Sequence, residues 1–188
     1  MQPDRDNLLF KPNISLNGLI DEKTLPFFLD RLQIVRDGTD ELVMELNTQG
    51  GGADIARRIA LEIRLFGQHS GRRAYCVGKT NVFSAGITIL AAFPKDCRFL
   101  TEDAVLLIHE RRLQDSVQLS GPIKSCLQIV REQLAMLESA EQLEMEGFRE
   151  FVQGSDMTLE QLFEEAKKSW YLTAEEAMKH GLIAEVLR

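Results

Sequence analysis

Apolar positions along this chain switch repeatedly between a period of two and a period near three and a half. Residues 13–20 (NISLNGLI) alternate like a half-buried strand, and 21–35 (DEKTLPFFLDRLQIV) carry apolar residues at helical spacing, with Pro26 tolerable only in a first turn. A short apolar strand is predicted over 41–47 (ELVMELN), running directly into TQGGG. Ile55, Ile59, Ile63 and Phe66 form one stripe of a helix over 53–67, which Gly67 is expected to stop. Next come a strand at 73–78, a loop at 79–83 (KTNVF), an apolar helix from about Ser84, and two strands at 97–101 and 104–110. A long helix over 124–152 repeats Leu127, Val130, Leu134, Leu137 and Leu143 at helical intervals, after a strand-like VQLS. A helix over 172–181, ended by Gly181, and a strand over 182–187 close the chain. This alternation predicts an α/β protein with a mainly parallel sheet. No repeat, low-complexity tract or linker interrupts it, so a single domain over 1–188 is expected.

Composition narrows the function. A chain of 188 residues can bury a substantial core. A net charge of -7, with arginine pairs scattered at 57–58, 72–73 and 111–112, offers no basic face and argues against a nucleic-acid partner. Three cysteines (Cys76, Cys97, Cys126) without a CxxC spacing give neither a disulfide framework nor a zinc site and fit a reducing compartment. The polar start MQPDRDNLLFKPN lacks the apolar core of a signal peptide, and the longest apolar stretch, AGITILAAF, is too short to span a bilayer. A soluble, cytoplasmic protein with no membrane partner is expected.

Three local patterns carry chemistry. TQGGG follows a strand: glycines permit positive φ and bring backbone N–H groups close to a ligand, as an anion cradle or oxyanion hole needs, and equally make a tight strand–helix turn. It lacks the GK[ST] and GxGxxG spacings of nucleotide loops. Ser84, followed by Ala85, Gly86 and an apolar run, is either a helix N-cap or a nucleophile on a sharp turn; the GxSxG pattern fails because Val82 stands where a glycine belongs. His109 ends an apolar strand, as a structural histidine or a base, whereas His69 and His180 sit in polar surroundings typical of a surface.

Taken in chain order, these segments resemble the proteolytic subunit of the Clp protease. ELNTQGG is similar to that family's NSPGG turn, FSAGITILAAF to its ASMG nucleophile segment, and VLLIHE to its MIH strand end. WYLTAEEAMKHGLIAEVL follows its C-terminal block most closely, and the resemblance covers roughly 13–188. It implies a crotonase-type α/β fold of repeated β-β-α units with a protruding "handle" helix (about 113–152), preceded by an N-terminal segment (1–12). It implies further a serine endopeptidase without metal or cofactor, acting on peptides or unfolded proteins. Homo-oligomeric stacked rings and an ATPase unfoldase partner come with that family. By the same resemblance Ser84 is the nucleophile, His109 the general base, and the N–H groups of Gly51 and Ala85 the oxyanion donors. The acid of the triad falls on Glu165, with Glu164 as the substitute.

The chain also departs from the family pattern. The turn loses its proline (NTQGG), the acid is a methylene longer, and ERRLQDSVQLSG replaces the Gly-rich stretch that pairs with substrate. The N-terminal segment is short for an axial gate. These departures support a rival expectation, a catalytically silent subunit of the same fold. A crotonase-type acyl-CoA enzyme would use the glycine turn for a thioester oxyanion, but the ordered Ser and His speak against it. No lysine stands in a block suited to a Ser/Lys dyad.

Overall fold

Leu42, Met44, Leu46 and Thr48 alternate inward along one strand with only partly covered residues between them, and the sheet grows outward from this strand. The computed structural model describes residues 4–113 and 116–188. In chain order the elements are α1 (Arg5–Phe10), β1 (Ile14–Asn17), α2 (Thr24–Asp37), β2 (Leu42–Thr48), α3 (Ala53–Ser70), β3 (Ala74–Phe83) and α4 (Ala85–Ala91). There follow β4 (Arg98–Thr101), β5 (Val105–Ile108), α5 (Ile123–Val152), α6 (Leu159–Ala166), β6 (Trp170–Thr173), α7 (Ala174–Lys179) and β7 (Glu185–Leu187). Gln114 and Asp115, inside the expected handle region, lie outside the described residues, as do residues 1–3 of the N-terminal segment.

The strands form one sheet in the order β1-β2-β3-β4-β7, all parallel, with β5 also parallel to β3 and β6 antiparallel to β5. Helix-linked parallel strands must be covered, and the main core packs Phe28 and Leu32 of α2, Ile59, Ile63 and Phe66 of α3, and Ile89 and Leu90 of α4 onto the sheet. A smaller cluster of Leu8, Tyr75, Val77, Phe99 and Leu187 brings α1 together with β3, β4 and β7.

Three local differences from the sequence pattern have physical reasons. The polar stretch 79–83, expected as a loop, continues β3: the strand kinks at Thr80 (φ 54) and changes partner. Cys76–Gly78 pair with β4, and Asn81–Phe83 pair with β5, so the ladder satisfies backbone groups that a loop would leave to solvent. Gly67 does not end α3; the helix runs to Ser70 and stops at Gly71, which adopts the left-handed conformation (φ 67). An exposed mid-helix glycine costs about 1 kcal/mol, less than the packing on either side of it supplies. The VQLS segment forms no strand.

One buried side chain fastens the helices to one another. Arg98, 2% exposed, donates Nε to the Phe93 carbonyl at 2.7 Å and Nη2 to the Ala91 carbonyl at 3.0 Å. Its Nη1 reaches the Phe151 carbonyl at 2.8 Å and, by a longer bond, that of Leu182, while Nη2 also reaches the Glu150 carbonyl at 3.3 Å. On the far side, Arg57 and Arg64 of α3 pair with Glu146 (3.2 Å) and Glu150 (3.0 Å) of α5. Replacing Arg98 by methionine would orphan several buried carbonyls at once. Urea unfolding of Arg98→Met is expected to show a loss of roughly 3 kcal/mol or more.

Candidate active site

Ser84 stands where β3 ends and α4 begins, with φ 54 and ψ -114, a conformation costly for a residue bearing a Cβ. Its side chain makes no capping bond, so the helix N-cap reading of the sequence accounts for its position but not for its conformation. The turn is held from both strands and from the helix. The Ser84 N–H donates to the Leu107 carbonyl of β5 at 2.9 Å, and the Ser84 carbonyl accepts the Ile87 N–H at 2.9 Å.

The glycine turn after β2 closes against this serine. Gly50 has φ +100, and a Cβ there would lie 2.7 Å from the Ser84 Cβ and 3.2 Å from its Oγ. The buried Thr48 hydroxyl accepts the Gly50 N–H at 3.0 Å, while the Gly52 N–H goes to the Ile20 carbonyl at 2.7 Å. Gly51, with φ +139, presses so closely on Ile20 that a Cβ would lie 2.3 Å from its carbonyl oxygen. Ala85 opens α4, where the first N–H groups of a helix have no intrahelical acceptor. Gly86, the second glycine of the GxSxG pattern, is present, and a Cβ on it would meet Thr48 Cγ2 at 2.6 Å, so Gly86 lets α4 approach β2.

Gly51, Ser84, Ala85 and His109 line one cavity of about 400 Å³, together with Arg57, Ile108, Arg111, Glu144 and Phe148. Ser84 and His109 are both half-buried, and no hydrogen bond joins them among the described residues. Such bonds are often long without substrate and tighten when it binds. The His109 Nδ1 lies 2.6 Å from the Glu110 carbonyl oxygen. The loop after β5 is anchored at three further points: the Arg111 N–H donates to Glu144, the Arg111 guanidinium pairs with Asp54 at 2.5 Å, and Arg112 donates to Ser169 at 3.2 Å. Burial raises the Glu144 carboxyl above its ordinary value and the charge of Glu110 adds to this; the Arg111 N–H and the charges of Arg111 and His109 act in the opposite direction.

The structure does not bring Glu165 or Glu164 to this cavity. Both stand on the last turn of α6, where Glu165 bonds Lys168 at 3.1 Å and Glu164 bonds Lys167 at 2.7 Å. Lysines three residues on are in ideal reach of both carboxylates, a local pairing that no count back from the C-terminal block takes into account. Sequence reasoning pointed to the segments that hold Thr48, Gly50 and Gly86 without giving these residues separate roles, and it missed Glu144. The first three were legible as small residues beside a strand end, but Glu144 looks like any solvent-facing helix position. Among the described residues no group of His, Cys, Asp and Glu could hold a metal ion, and no helix is long and apolar enough to cross a membrane.

Comparison with known proteins fits this geometry. The family model for Clp protease matches residues 4–188. The ATP-dependent Clp protease proteolytic subunit 2 of Pseudomonas aeruginosa is 26% identical over 175 residues, spanning 93% of this chain and 80% of that protein. Among solved structures, a ClpP1 point mutant from Listeria monocytogenes superposes with a TM-score of 0.73 at 20% identity, covering 93% of this chain and 90% of the other, so the fold is shared. With a strained serine at a strand–helix turn, a histidine across the same cavity and a family match over nearly its whole length, this chain belongs to the Clp protease family.

Proposed function

We propose that this chain is a serine endopeptidase and a ring-forming proteolytic subunit. The observation that carries the reading is the strained Ser84 at the N-terminus of α4, sharing one cavity with His109 and the backbone of Gly51 and Ala85. The Ser84 Oγ attacks the scissile carbonyl carbon while its proton passes to His109 Nε2; the carbonyl π pair moves onto oxygen, where the Gly51 and Ala85 N–H groups receive it. Collapse breaks the C–N bond, and His109 returns the proton to the leaving amine. Water then attacks the acyl carbon while His109 Nε2 takes its proton, and collapse breaks the C–Oγ bond, returns that proton to Ser84 Oγ and releases the carboxylic acid product. No step requires a metal or an organic cofactor.

Assembly is read from α5. Its buried residues are confined to Phe148, Phe151 and Val152, whereas Ile123 (76% exposed), Leu127, Val130, Leu134 and Leu137 leave an apolar stripe uncovered. A helix of 30 residues extends about 45 Å, more than one small core covers. This stripe is the expected handle, and packing of stacked rings through it accounts for its exposure. Peptides or unfolded chains are the substrate class, delivered by an ATPase partner, and the cytoplasm is the compartment that fits the free, buried thiols of Cys76 and Cys97. The second reading is a catalytically silent subunit, favoured by the engagement of Glu165 with Lys168.

Fluorophosphonate labelling, read by intact mass, separates the two. A single adduct that both Ser84→Ala and His109→Ala abolish is expected; an intact assembly that takes up no adduct supports the silent subunit. Gly50→Ala places a methyl against Ser84 at a positive φ, so labelling is expected to slow at least tenfold while stability falls by about 1–3 kcal/mol. Leu134→Glu is expected to separate stacked rings into smaller species by light scattering, with labelling of Ser84 as the check on the fold.

A further inference from the structure

His109 has an orienting acceptor even though Glu165 does not supply it. The peptide group that joins Glu110 to Arg111 is used at both ends: its carbonyl oxygen lies 2.6 Å from His109 Nδ1, and its N–H donates to the Glu144 carboxylate. A carbonyl oxygen can only accept, so Nδ1 carries the ring proton and Nε2 keeps its lone pair, the tautomer that a base acting on Ser84 needs. We propose that Glu144, on α5, is the acidic positioning residue of this site, acting on His109 through the 110–111 peptide group. This proposal rests on the peptidase reading above.

The physical coupling has two parts. A carboxylate that accepts an amide N–H polarises the amide, so its oxygen becomes more negative and holds the Nδ1–H more firmly; such chains strengthen each bond by about 10–30%. The carboxylate charge also attracts the imidazolium that forms when His109 takes the serine proton. That proton goes to Nε2, the Nδ1 proton stays on the ring, and no proton is transferred to Glu144. Attraction between His109 and Glu144 is already among the influences on the Glu144 carboxyl.

Glu144 is well placed for this role because its helix is fixed. Arg98 grips the carbonyls of Glu150 and Phe151 less than two turns further along α5, and Arg57 and Arg64 tie the same stretch to α3. Among the described residues, the charged and titratable groups around Glu144 are His109, Glu110, Arg111 and Arg112 from the loop, Glu141 on its own helix, and Arg57 and Asp54 from α3, Asp54 holding Arg111. Glu110 disfavours the ionised form of Glu144 and Arg111 favours it, so the carboxylate is held by the loop it positions.

The test uses the full-length assembled protein and the variants Glu144→Gln, Glu144→Asp and Glu165→Gln. Glutamine retains an oxygen for the Arg111 N–H and loses only the charge. Two quantities are read against pH: the rate of fluorophosphonate labelling at Ser84, and the NMR titration of the His109 ring, identified by its loss in His109→Gln. For Glu144→Gln, labelling at neutral pH is expected to slow by about tenfold to a hundredfold, the range of outer partners that orient a functional histidine. Losing an anion near the imidazolium moves the acid limb of labelling and the ring titration to lower pH. About half a pH unit is expected for a charge acting across one peptide group. Glu144→Asp recovers part of the rate, and Glu165→Gln behaves as the parent. An unchanged ring titration in Glu144→Gln, or a shift produced by Glu165→Gln instead, overturns the proposal. If the parent takes up no label at all, the peptidase reading fails by itself, and the ring titration still decides the coupling.

Discussion

A single desolvated cation organises this molecule. Burial pushes the Arg98 guanidinium down to about 10, yet it remains charged near neutrality and makes no bond to a carboxylate among the described residues. Its charge is met by carbonyls at the C-terminal ends of two helices, Ala91 and Phe93 at α4 and Glu150 and Phe151 at α5, where the helix dipoles are negative. Leu182 adds a contact from the C-terminal segment. One side chain therefore sets how the helix that begins at Ser84 lies against the helix that carries Glu144.

That arrangement explains how strain can persist at the serine. A non-glycine residue with φ 54 costs on the order of 1–3 kcal/mol and survives only when its surroundings over-determine it. Here β5 takes the serine N–H, α4 takes its carbonyl, and Gly50 and Gly86 remove the side chains that would push the turn open. The same close approaches leave Gly51 and Ala85 at the wall of the cavity that the strained serine also lines.

The loop after β5 holds two arginines where the resembling family has a Gly-rich stretch, and both are bound to neighbouring elements. The Arg111 guanidinium reaches Asp54 on α3, Arg112 reaches Ser169 ahead of β6, and the Arg111 N–H donates to Glu144 on α5. The direct acid expected from Glu165 is absent from the cavity, since Glu165 stands on the last turn of α6 and bonds Lys168, and a carboxylate from α5 lines the cavity with the histidine.

The sequence by itself determined the class of the molecule. Alternation in β2, the stripe Ile55–Ile59–Ile63–Phe66 and the run after Ser84 each follow from local hydrophobic periodicity, which a single segment carries within itself. The likeness of the glycine turn, the serine and histidine segments and the C-terminal block to family motifs, taken in chain order, pointed to the family. Only the tertiary structure decided that 79–83 would extend β3, since the strand depends on β5 for its ladder. It alone decided that α3 would pass Gly67, that Arg98 would be a buried hub, and which carboxylate would approach His109. Each of these depends on partners far away in sequence: a hydrogen bond or charge pairs with whatever the fold places beside it, and no periodicity along the chain records that neighbour.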